Sequence, residues 1–228
     1  MGETRSTLPS AKVAQFLKQA SATPVRGGGG RGRLIFGLDA TMSRQPTWDL
    51  ACHLQAELFD AASKAGGLDV KLAYFRGYDE ARASRWISDA AALNKVMSRI
   101  DCRCGLTQIS RLLDHTLKEA SDAPVAAFVY VGDTMEEDID QLCARAGKLA
   151  LHNTKAFMFQ EGHDPVAERA YREIARITGG VFLRFDPRAP ERLRSLLAAI
   201  GTYAAGGRAA LETEGSREAR LLLEGMSR

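Results

Sequence analysis

The stretch Arg33-Leu34-Ile35-Phe36-Gly37-Leu38 runs directly into Asp39-Ala40-Thr41-Met42-Ser43. Its first half, Leu34–Leu38, is a short apolar run that reads as a buried strand. Its second half sets three oxygen-bearing side chains at alternate positions, where the strand gives way to a loop. The chain then alternates. Helical periodicity covers Asp49–Ala65 through Leu50, Leu54, Leu58, Ala61 and Ala62, and Val70–Phe75 reads as the second strand. Ala81–Ser88 reads as an edge strand with Trp86 and Ile87 on opposite faces. Helices are expected over Ala90–Ile100 and Gln108–Lys118, then a strand over Ala126–Val131. Glu136–Leu149 reads as a helix with acids in its first turn, where the helix dipole favours them. Lys155–Phe159 reads as a strand. Asp164–Pro165 looks like a cap and first-turn pair for a helix reaching Ile177, which Gly179 and Gly180 stop. Val181–Phe185 is the last strand and Pro190–Tyr203 the last long helix.

Strands alternating with helices of this length imply right-handed crossovers and a mostly parallel sheet covered on both faces. The fold class is therefore α/β, doubly wound, over residues 33–204. Residues 1–32 precede it as an arm. There Val13, Phe16, Leu17 and Ala20 mark one face of a short helix beginning near Pro9, and Gly27–Gly32 form a flexible linker. Residues 205–228 follow Gly206–Gly207 as a C-terminal helical tail, with Leu211, Ala219, Leu222 and Leu223 expected to fray or to dock.

Composition narrows the function classes. Of 228 residues, 45% are hydrophobic and 26% charged, as in ordinary soluble domains. No window approaches the roughly 18 unbroken apolar residues of a membrane-spanning helix, and residues 1–22 lack the pattern of a secretory signal. Four cysteines are too few for a disulfide scaffold, so reduced thiols and a cytoplasmic location are expected. The net charge of +3 is uneven: residues 1–33 carry six basic groups and one acid, which leaves −2 for the rest. A slightly acidic body argues against nucleic acid as a partner. The glycines before the first strand are no phosphate loop, because such loops follow a strand and open a helix. His53, His115, His152 and His163 fall on predicted helices or loops away from the strand ends, where structural or surface roles are the default.

In a doubly wound sheet the site lies beyond the C-terminal strand ends. Asp39, Thr41 and Ser43 follow the first strand. Gly132-Asp133 follows the strand Ala126–Val131. Gly105-Leu106-Thr107 leads into the helix between them. Two carboxylates and three hydroxyls make a hard oxygen set, suited to Mg²⁺ or Mn²⁺.

Asp39-x-Thr41-x-Ser43, Gly105-x-Thr107 and Asp133, in that order, resemble the von Willebrand factor A (VWA) domain family, a Rossmann-like fold. In that family these groups form the metal-ion-dependent adhesion site (MIDAS). The resemblance implies that Thr41 and Ser43 hold the metal directly and that Thr107 does so directly or through water. It implies that Asp39 and Asp133 mostly hold the metal's waters, and that a partner protein's acidic residue takes the last position. Among intracellular bacterial members it implies partners that include AAA+ ATPases. Three positions depart from the family pattern. Thr41 stands for the commoner Ser, Leu106 for a second Gly, and Gly132 precedes Asp133 where Thr is usual.

Three other readings remain. Asp39 and Thr41 alone would fit an Asx turn that satisfies backbone amides. Gly132-Asp133 with the following acids is similar to haloacid-dehalogenase-type phosphatases, with Asp39 as nucleophile and Asp133 as metal ligand. Thr41, however, stands where that chemistry needs a second acid. A scaffold with a vestigial metal site is the third. The expectation is a non-catalytic, metal-dependent binding module. Glu136, Glu137, Asp138 and Asp140 are read as a solvated first turn, and Trp86 as a packing residue.

Overall fold

The computed structural model describes residues 30–42, 56–186 and 190–226. The N-terminal helix and most of the Gly27–Gly32 linker lie outside these residues, as do Ser43, His53 and the first half of the helix expected over Asp49–Ala65.

Six strands form one sheet: β1 (Gly32–Asp39), β2 (Leu68–Arg76), β3 (Glu80–Ala83), β4 (Ala127–Gly132), β5 (Lys155–Glu161) and β6 (Val181–Phe185). Their order is β3-β2-β1-β4-β5-β6. All neighbours are parallel except β2 and β3. The α/β doubly wound class is therefore observed. The expected edge strand is shorter than its apolar pattern implied. It ends at Ala83, and Ile87 only bridges Val70. Trp86 and Ile87 still face opposite ways, each packing into a different core.

Both faces are covered. Leu34, Phe36, Leu38, Val70 and Leu72 pack against α1 (Ala56–Ser63), α2 (Ala90–Met97), α6 (Pro190–Glu214) and α7 (Arg217–Met226). Ile35, Ala73, Phe75, Phe128 and Met158 pack against α3 (Ile109–Asp122), α4 (Ile139–Leu151) and α5 (Pro165–Thr178). Every residue of β4 is buried, because a central parallel strand has apolar neighbours on both sides. Asp164 caps α5 by accepting from Ala167 N at 2.6 Å, and Gly179 ends it in the left-handed conformation at φ 63°. The helical path of α6 breaks at Gly207. Beyond the break Leu211, Ala219 and Leu222 are fully buried, so this segment docks on the first face rather than fraying. Among the described residues no helix is long and apolar enough to cross a membrane.

On the α3 face, towards the N-terminal end of the sheet, one carboxylate gathers four groups. Glu119 accepts from Lys71 Nζ, from Arg33 at 3.2 Å and from Trp86 Nε1 at 3.0 Å, and His115 stands 3.8 Å away. The Arg33 guanidinium also lies 4.0 Å from the Trp86 ring centroid. Burial is the largest single influence on Glu119 and opposes its ionisation, but the hydrogen bond and charge of Lys71, the Trp86 hydrogen bond and the charge of His115 together outweigh it, so the carboxyl titrates below its ordinary value. Trp86 thus anchors a polar cluster rather than a strand.

Candidate metal centre

The chain leaves β1 for β2 and β3 on one side, then returns to β4 on the other side of β1. The crevice where a doubly wound sheet binds its ligands therefore opens beyond β1 and β4. Leu38 pairs with Val131, so Asp39 and Asp133 emerge from adjacent strands at the same edge.

Asp39 is the last residue of β1 and is 3% exposed. Its Oδ1 accepts from Thr41 N at 2.8 Å, which is the Asx turn that short-range chemistry allows. The turn holds the buried Thr41 at the edge beside Asp39. Asp133 is half-buried one residue past β4, and its Oδ1 accepts from Thr134 N at 2.9 Å. Thr107 is buried two residues before α3.

A backbone lattice joins these loops. Ala40 N donates to Phe75 O (2.9 Å), Arg103 N to Ala40 O (3.0 Å) and Leu106 N to Gly77 O (3.2 Å). Gln108 Nε2 also donates to Gly77 O at 3.1 Å. The segment from Arg103 to Gln108 thus crosses over the ends of β1 and β2. Gly105 passes so close to Gly77 that a Cβ there would sit 2.0 Å from Gly77 O.

The expected helix over Glu136–Leu149 needs correction at its start. Helix α4 begins at Ile139, with Asp138 as its cap accepting from Gln141 N at 2.9 Å. Asp140 does lie in the first turn, but Glu136 and Glu137 precede the helix. Their carboxylates reach across to α3. Glu136 Oε2 accepts from Thr107 N at 3.1 Å and from Thr107 Oγ1 at 2.8 Å, and Glu136 N donates to Thr107 Oγ1 at 3.2 Å. Glu137 accepts from Ile109 N and, at 3.0 Å, from Ser110 N. The cause is a demand on α3. Its first amides need acceptors, and the cap residue Gln108 offers no side-chain bond. The signal was available: the apolar period of α4 starts only at Ile139, which leaves two acids outside the helix, and Gln108 is a poor capping residue.

Asp39, Thr41, Thr107, Asp133 and the unforeseen Glu136 therefore share one edge, linked through Ala40–Arg103 and Thr107–Glu136. The donors are carboxylate and hydroxyl oxygens. Among the described residues no group of three or more His, Cys, Asp or Glu side chains could by itself hold a metal ion, so a cation here would depend on the hydroxyls as well. A mixed set of hydroxyl and carboxylate oxygens fits a small hard cation that keeps several of its waters. Of the histidines, His163 lies against expectation just past the C-terminal end of β5, but on the far side of β4 from β1.

The rim carries exposed apolar side chains among charges of both signs. Met42, Tyr78 and Leu106 are 54%, 76% and 51% exposed and belong to the three loops that the lattice joins. Glu80 is bonded by Arg76 (2.9 Å) and Arg82 (2.8 Å), with Arg103 at 3.9 Å. The Arg76 hydrogen bond, more than any other contact, holds the Glu80 carboxyl below its ordinary value. The exposed Arg82 and Arg103 on this rim are matched by the exposed Asp79 and Asp101 on the same loops.

No family model matches the chain, and no curated protein matches it. Solved structures do. A von Willebrand factor type A protein from Catenulispora acidiphila is 18% identical with a TM-score of 0.58, over 76% of this chain and 43% of that one. The SpRpn10 VWA domain is 14% identical with a TM-score of 0.55, over 77% and 98%. Proximal thread matrix protein 1 from the mussel byssus, with a zinc-occupied MIDAS motif, is 14% identical with a TM-score of 0.58, over 74% and 45%. This chain thus spans under half the length of the first and third. The fold is that of a VWA domain.

Proposed function

We propose that the chain is a divalent-cation-dependent protein-binding module without catalytic activity. The observation that supports it is the meeting of Asp39, Thr41, Thr107 and Asp133 at the β1/β4 crevice of a VWA fold. Thr41, Ser43 and Thr107 would hold Mg²⁺ or Mn²⁺ through hydroxyl oxygens, and Asp39 and Asp133 would hold its waters. Bound there, the cation supplies a Lewis-acid position for a carboxylate from a partner protein. The chain's own residues do the rest. Met42, Tyr78 and Leu106 offer an acidic segment apolar contact, and the exposed Arg82 and Arg103 offer it local ion pairs. One neighbour supports the reading by its description alone: the mussel protein is described with a zinc-occupied MIDAS motif. A cytoplasmic AAA+ ATPase is the partner class that the family resemblance favours.

Calorimetric titration of the whole chain with Mn²⁺ tests the reading. One weak site is expected, because hydroxyls and water-held carboxylates bind loosely without a partner's acid. Asp39→Ala should abolish it, and undiminished binding by that variant would sink the assignment. The chain should not hydrolyse p-nitrophenyl phosphate above background. Hydrolysis lost in Asp39→Asn would instead establish a phosphatase with Asp39 as nucleophile.

A further inference from the structure

We infer that Glu136 is a positioning residue of the cation site, acting through the hydroxyl of Thr107. The inference rests on the cation reading above. A threonine hydroxyl has one proton and two lone pairs. In this structure the proton goes to Glu136 Oε2, and Glu136 N takes one lone pair. One lone pair is left. A hydroxyl that binds a cation must turn its proton away from the ion. The Glu136 carboxylate is the acceptor that holds it there, while Thr107 N pins the same oxygen, Oε2. Cation binding makes a hydroxyl a stronger donor, so the bond to the carboxylate strengthens as the ion arrives. The carboxylate also adds a negative charge beside the ion.

Glu137, the next residue, provides a control within the same loop. Its carboxylate takes two amides of α3 and leaves Thr107 alone. A purely structural role for this loop predicts the same behaviour from both glutamates. A positioning role separates them.

The experiment titrates Mn²⁺ into the full chain, Glu136→Gln and Glu137→Gln, with melting temperatures recorded in parallel. Glu136→Gln keeps the shape and an acceptor oxygen but loses the charge. Its Mn²⁺ affinity should fall about tenfold, the lower end for groups that orient a metal's ligands. Glu137→Gln should melt lower and bind Mn²⁺ as the parent does. Parental affinity in Glu136→Gln overturns the inference, and so does an equal loss in both variants. If Glu136→Gln does not fold, Glu136→Asp makes the same comparison. It keeps the charge and shortens the reach to Thr107, so parental affinity again overturns the inference. A parent chain that takes up no Mn²⁺ overturns the cation reading itself, a result distinct from the others.

Discussion

Replacing Gly105 by alanine probes whether the strand-end loops form one frame around Thr107. The new Cβ would lie 2.0 Å from Gly77 O and 2.5 Å from Gly77 Cα, where ordinary contact begins at 3.4 Å. The crossing segment must therefore lift by roughly 1.4 Å, the difference between those distances. Gly77 O also accepts from Leu106 N at 3.2 Å and from Gln108 Nε2 at 3.1 Å, and a lift of that size breaks both bonds. At about 1 kcal/mol per bond, with overpacking of about 1–3 kcal/mol eased by the exposed loop, the cost is about 2–4 kcal/mol. For a chain of this length that lowers the melting temperature by roughly 5–15 °C. Thr107 stands two residues away, so the lift also reaches the cation site, and Mn²⁺ affinity should fall about tenfold. Differential scanning calorimetry and Mn²⁺ titration on the same preparation read both effects. A variant that melts within about 2 °C of the parent and binds Mn²⁺ equally would refute the frame.

Two further predictions concern the cluster around Glu119. Glu119→Gln leaves Arg33 and Lys71, whose side chains are 17% and 11% exposed, without their shared carboxylate. Denaturant unfolding should show a loss of about 3 kcal/mol, near the low end for breaking a buried pair. A loss under about 1 kcal/mol would mean that the cluster is solvated. His115 titrates below its ordinary 6.5, pushed down by burial and then by Lys71 and Lys118, with Glu119 opposing. The folded chain therefore resists protonation, and stability should fall as pH drops below 6.5 towards the folded value. His115→Gln should flatten that fall, and an NMR titration placing His115 at or above 6.5 would contradict the account.

The sequence by itself determined the α/β class and the position of most elements. Buried parallel strands must be continuously apolar, as in Ala127–Val131 and Ala156–Phe159, and crossover helices must show one apolar stripe. These are local demands, so a single strand of text records them. The turn at Asp39–Thr41 was legible for the same reason, since its bond spans two residues. Tertiary structure alone decided the strand order, and with it the switch point between β1 and β4, because each crossover can pack on either side with the same local pattern. It also decided what Glu136 and Glu137 do. Their carboxylates satisfy Thr107, Ile109 and Ser110 across 27 to 29 residues of chain. In sequence they read as solvated acids in a helix's first turn. In the fold the nearest unsatisfied amides belong to a different helix, and a buried donor takes the acceptor that packing brings to it.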